Sequence, residues 1–175
     1  MRIIEIPLNS PDPLLSIARL RQSLPQDCRV GAGTVMSDSD VRSVKQHQGE
    51  IIISPHTDPA IIQETRKQGL ISLPGAATPS EAFSALSHGA HGIKIFPAEA
   101  ASPLTLKAWR AVIPAEIPCC QSAGSLPNPY PAGWRPAPAV LALEACSINP
   151  ACRLRASESA PPLLCGPGEI RRITK

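Results

Sequence analysis

From Met1 to Pro118 short apolar runs alternate with amphipathic segments, and the apolar runs recur about every 20 to 25 residues. Strands so spaced, each followed by a helical stretch, favour a parallel sheet joined by crossover helices. Arg2 to Pro7 reads as the first strand, with Glu5 set among three isoleucines. Leu14, Leu15, Ile17, Ala18 and Leu20 then recur at helical spacing behind Pro13. Arg29 to Val35 is a small-residue strand whose polar end is Thr34, and Ser37 caps a helix to about His47. Ile51 to Ile53 is the next strand, Asp58-Pro59 the next helix start, and Leu70 to Pro74 the next strand. Thr78-Pro79-Ser80-Glu81 is a capping box opening a helix that ends at Gly89. A strand carrying Lys94 follows, and Ser102-Pro103 opens a last helix ending near Pro114.

Alternation alone permits an open doubly wound sheet or a closed barrel. No Gly-x-Gly-x-x-Gly follows the first strand, so nothing argues for a dinucleotide site. Glu5, Thr34 and Lys94 all fall within or at the C-terminal end of a strand, and in a barrel those ends converge on one mouth. Lys94 stands out. Side chains alternate along a strand, so Ile93 and Ile95 share one face and Lys94 and Phe96 the other. A lysine withdrawn from water is disfavoured in its charged form, which frees the lone pair that attacks a carbonyl. The competing reading is an edge lysine with its ammonium in solvent.

At 175 residues the chain holds a sizeable core but is short for a complete eight-stranded barrel of about 250. Net charge is +3, with no basic stripe, so no nucleic-acid partner is expected. No apolar run approaches the length of a membrane span, and no signal peptide is read at Met1, so a cytoplasmic protein is expected. Five of the six cysteines lie beyond Pro118, where prolines also crowd; without a Cys-x-x-Cys pair or any later histidine, free thiols are expected and no metal. His47, His88 and His91 read as solvated side chains at helix ends and in loops.

Four phrases together resemble one family: Ile-Glu-Ile-Pro-Leu-Asn-Ser-Pro at 4–11, Gly-Ala-Gly-Thr-Val at 31–35, Leu-Pro-Gly-Ala-Ala-Thr-Pro-Ser-Glu-Ala at 73–82, and Gly-Ile-Lys-Ile-Phe-Pro at 92–97. In order and spacing they are similar to the class I 2-keto-3-deoxy-6-phosphogluconate and 6-phosphogalactonate aldolases, the first phrase most like the galactonate branch. The resemblance implies a (β/α)8 barrel that cleaves the phosphorylated keto-deoxy sugar acid to pyruvate and glyceraldehyde 3-phosphate without a cofactor. It makes Lys94 the Schiff-base lysine, Glu5 the proton-transferring carboxylate and Thr34 a substrate-binding hydroxyl, with Pro74 and Phe96 lining the pocket. It also implies a homotrimer.

The resemblance covers Met1 to about Pro118, and the chain departs from the family on both sides of that stretch. The family places a strand and helix ahead of the Glu5 strand, and a Gly-Gly and a Gly-Ser strand end after Pro118 that hold phosphate through backbone N–H groups. The chain therefore reads as an incomplete barrel domain over 1–118, lacking the first βα unit and the last strands. The Pro- and Cys-rich tail over 119–175 is expected to be disordered. Written as degenerate codons and read from the third base, residues 118–152 permit family-like phosphate-site phrases, consistent with a one-frame shift near codon 118. Exposed sheet edges would leave such a fold marginal and prone to aggregate. Three readings stay open: an aldolase, a non-catalytic remnant of one, or a phosphate-binding barrel of other chemistry.

Overall fold

The computed structural model describes residues 2–121 together with 141–142, 153–154 and 163–164. The elements follow in order: β1 (Arg2–Pro7), α1 (Pro13–Ser23), β2 (Cys28–Gly33), α2 (Asp38–Gln46), β3 (Ile51–Ile53), α3 (Pro59–Lys67), β4 (Ile71–Leu73), β5 (Gly75–Ala76), α4 (Pro79–Ser87), β6 (Ile93–Ile95), α5 (Pro103–Arg110) and β7 (Cys119–Gln121). Short strands β8 (Leu141–Ala142), β9 (Arg153–Leu154) and β10 (Leu163–Leu164) complete the order. β1 to β4 pair in parallel in sequence order, as do β5 to β7. Only Pro74 separates β4 from β5, since it has no N–H for the ladder. Its own carbonyl accepts from the Lys94 N–H at 2.8 Å, and the Ser72 carbonyl accepts from His91 at 2.9 Å, so the two sheets form one arc.

The arc is the parallel sheet with crossover helices that the alternation predicts. β7 pairs in register with β6, Lys94 opposite Cys120, so the parallel order runs three residues past Pro118. β8 runs antiparallel against the other edge of β1, Glu5 opposite Leu141, and β9 and β10 form a separate antiparallel pair. The expectation of a disordered tail otherwise lies outside the described residues.

Helix starts fall where the caps predict. The side chains of Ser37, Asp58, Thr78 and Ser102 each accept a backbone N–H of the first turn, and Thr78 and Glu81 close the full reciprocal box. α1 differs: Asp12 precedes it in a left-handed conformation and its side chain makes no capping bond, leaving Pro13 to set the entry.

Alternation along the strands divides the core in two. Ile6, Val30, Ala32 and Ile52 face outward onto α1 to α3, and Ile93, Ile95 and Ala76 onto α4 and α5. The opposite face gathers Ile3, Ile51, Ile53, Ile71, Leu73 and Cys120 into an inner cluster. Ile51-Ile52-Ile53 is apolar throughout because a strand of this sheet is buried on both sides. The inner cluster is where an isolated polar side chain would be most expensive.

At the end where the strands begin, Glu50 ties three elements. Its carboxylate accepts from Arg21 of α1 at 2.8 Å and from Arg29 of β2, while its backbone N–H donates to Val30 and its carbonyl accepts from Ile71. All three side chains are largely shielded; deleting the carboxylate takes from Arg29 its anionic partner, while Arg21 keeps the Cys28, Leu24 and Pro25 carbonyls. Glu50→Ala is expected to lower unfolding stability by about 2–3 kcal/mol, read as a fall in urea midpoint at unchanged m-value.

Candidate active site

The strand parity that separates Ile93 and Ile95 from Lys94 turns the lysine onto the inner face, and β1 turns Glu5 there likewise. Both are buried, Lys94 at 6% and Glu5 at 2% relative exposure. Their heads approach from different parts of the arc, with Nζ 3.9 Å from Oε1. That is too far for a direct hydrogen bond and close enough for one oxygen to bridge them at about 2.8 Å from each. The edge-lysine reading is therefore set aside by burial.

Burial, opposed by the nearby Lys94, pushes the Glu5 carboxyl above its ordinary value. Its Oε2 has no hydrogen-bond partner among the described residues, although such atoms are nearly always paired. A carboxyl held this way can either take or give a proton.

Phe96 shares the Lys94 face as the alternation predicts. Its ring centroid lies 5.5 Å from Nζ, and Phe96 is partly exposed. Pro74 is buried and holds the Lys94 backbone through its carbonyl. Thr34 lies just past the end of β2 with φ of 56°, a left-handed conformation that a β-branched residue rarely adopts. It is half-buried, and its neighbour Gly33 lies under the Glu5 carboxylate. Of the five residues singled out in the sequence, Glu5, Pro74 and Phe96 thus meet around Lys94, and Thr34 follows Gly33, which lies under the Glu5 carboxylate. Gly33 was missed in that role; the signal was its place two residues on from Gly31, on the same strand face.

His47, His88 and His91 are not freely solvated. His47 and His88 bond back to the Ser43 and Ser84 carbonyls at 2.8 and 2.7 Å, one turn earlier in their helices. His91 accepts the Ser72 N–H on Nδ1 at 3.0 Å and touches Arg66 through Nε2. Burial, helped by Arg66, pushes its pKa down to about 4 from 6.5. The unfolded chain therefore binds more protons between those values, and stability present above pH 6.5 drains away as pH falls toward 4. The expected loss is about 1–2 kcal/mol, after allowance for partial exposure. His91→Asn keeps an acceptor for Ser72 and should flatten that slope in urea titrations across the window.

Among the described residues no cluster of three or more His, Cys, Asp or Glu side chains is placed to hold a metal ion, and no helix is long and apolar enough to cross a membrane.

Comparison with known proteins agrees with the geometry. The family model for KDPG and KHG aldolases matches residues 1–159. A probable 2-dehydro-3-deoxy-6-phosphogalactonate aldolase from Rhizobium meliloti is 41% identical over 114 residues, covering 65% of this chain and 54% of that protein. The 2-dehydro-3-deoxy-6-phosphogalactonate aldolase of Escherichia coli is 36% identical over 125 residues, covering 71% and 61%. Among solved structures, a native KDPGal structure superposes with a TM-score of 0.63 at 36% identity, over 66% of this chain and 56% of that one. A KDPG aldolase from Legionella pneumophila, with pyruvate captured as a covalent carbinolamine, superposes at 0.63 and 28% identity over 70% and 59%. The chain spans about half to three fifths of the length of these relatives. With its parallel arc, inner-face lysine and family match over most of its length, the chain belongs to the KDPG and KHG aldolase family.

Proposed function

We propose that the chain performs retro-aldol cleavage of a 2-keto-3-deoxy-6-phospho sugar acid, most closely the galactonate, through an imine on Lys94. The observation that carries this is the buried Lys94 and Glu5 pair, 3.9 Å apart on a face whose cluster is otherwise isoleucine, leucine and Cys120. The Lys94 amine adds to the C2 carbonyl, and the carbinolamine loses water to give an iminium. As the C4 hydroxyl gives up its proton, the C3–C4 bond breaks and its electron pair flows into the iminium, releasing glyceraldehyde 3-phosphate and leaving an enamine. The enamine takes a proton at C3, and hydrolysis returns the amine and frees pyruvate.

Glu5 is the group that moves these protons, since it alone among the described inner-face residues combines an ionisable oxygen with an unpaired lone-pair direction beside Nζ. Thr34 supplies a hydroxyl to the substrate at the mouth, and Pro74 and Phe96 line the wall on either side of Lys94. Support for the imine comes from the carbinolamine captured in the Legionella relative. The galactonate preference rests on the two relatives named for that substrate.

The test is borohydride reduction with millimolar pyruvate, followed by intact-mass and peptide analysis. A stable adduct on Lys94 is expected; folded protein that acquires none overturns the assignment and favours a non-catalytic remnant. We further infer a homotrimer, supported by a 36% identical chain within a cage built from symmetric oligomeric domains. Light scattering should give about three times the 18.5 kDa chain mass, and a monomer would refute it.

A further inference from the structure

We propose that Gly33 is the positioning residue for Glu5: its missing side chain is the space in which the carboxylate lies, and that contact rather than a hydrogen bond aims the carboxylate at Lys94. The inference rests on the aldolase reading above. A Cβ built at position 33 would fall 2.8 Å from Glu5 Oε2, 3.0 Å from its Cδ and 3.4 Å from Oε1. All three atoms of the carboxylate group thus rest over one backbone position. Oε2 has no hydrogen-bond partner among the described residues, and Oε1 has Lys94 only at 3.9 Å. A group held by so few polar contacts takes its position from what it packs against.

The floor beneath it cannot give way. Gly33 pairs with Pro7 in the β1 to β2 ladder, and its carbonyl accepts from Leu8 at 3.0 Å. One residue past Thr34, Val35 is tied to the Ile53 carbonyl at 3.2 Å. With the backbone pinned on both sides, a methyl at position 33 displaces the mobile end of Glu5 instead. Ordinary van der Waals separation of carbon and oxygen requires a shift of roughly half an ångström or more, away from the bridging distance to Nζ. Misplacements of this order cost proton-transfer steps about 10- to 100-fold. The imine itself needs only Lys94, so its final yield is spared.

The experiment compares wild type, Gly33→Ala, Glu5→Gln and the combined variant, measuring end-point borohydride trapping and the rate at which pyruvate methyl protons exchange in D2O. Gly33→Ala should trap pyruvate to the wild-type extent while exchange falls about 10- to 100-fold, and should add no further loss in the Glu5→Gln background. Unchanged exchange in Gly33→Ala, or an equal additional loss when Glu5 is already glutamine, overturns the proposal. If Gly33→Ala does not fold, Glu5→Asp draws the carboxylate back by one methylene, and Gly33→Ala in that background should melt with Glu5→Asp alone. Failure there shows that the backbone demands glycine for another reason and also overturns it. Wild-type protein that traps no pyruvate defeats the aldolase reading first, and is recognised by the absence of adduct in every variant.

Discussion

A Lys94→Met chain is expected to form no borohydride-stable adduct with pyruvate and to lose retro-aldol activity by about 10⁴-fold or more, since among the described residues no other lysine is buried. The loss should not come from unfolding. Methionine matches the length of the lysine stem and fills the site against Phe96 and the inner cluster. It does leave Glu5 without its cationic neighbour. Lys94 is what holds the burial-raised carboxyl down, so its removal drives Glu5 further toward the protonated form. The sign follows: a group whose folded pKa is raised contributes stability fully present below its unfolded value of 4.5 and lost as pH rises through the folded value. Lys94→Met should therefore melt closest to wild type near pH 4.5 and fall behind it toward pH 8.

Glu5→Gln has the opposite profile. Imine formation should still reach its end point, while methyl-proton exchange and cleavage fall by about 10²- to 10⁴-fold, the usual worth of a positioned proton carrier. The isosteric amide removes the titration, so any stability slope arising from Glu5 above pH 4.5 should vanish. A variant that loses trapping and exchange together would show that Glu5 holds Lys94 in place and does not shuttle protons. Stopped trapping time courses with intact-mass readout distinguish the two.

The parts of this fold that were legible in the sequence are those encoded locally. Ser37, Asp58, Thr78 and Ser102 start helices within a residue of where capping chemistry puts them, because a cap and the backbone N–H that donates to it lie two or three residues apart. The placement of Lys94 and Phe96 on one face follows from strand parity alone. What could not be read depends on distant partners. Arg21 and Arg29 meet Glu50 across 29 and 21 residues, and nothing local in any of the three announces it. The break between β4 and β5 was hidden because Pro74 reads as the end of a strand, when the ladder resumes at Gly75. Cys119–Gln121 was assigned to the tail on composition, yet its two cysteines are buried and pair beside Lys94 because β6 presents an edge to them. The closeness of Glu5 to Lys94 came from the resemblance, since 89 positions of chain separate them and no periodicity spans that interval.

Glu50 stands just ahead of the first residue of β3, whereas the Glu5 carboxylate that faces Lys94 lies against Gly33, the last residue of β2. Robustness and chemistry are thus assigned to different ends of the same wall. An engineer could harden the lower rim with new ion pairs or tighter packing and leave turnover untouched, whereas each change at the upper rim would trade one against the other.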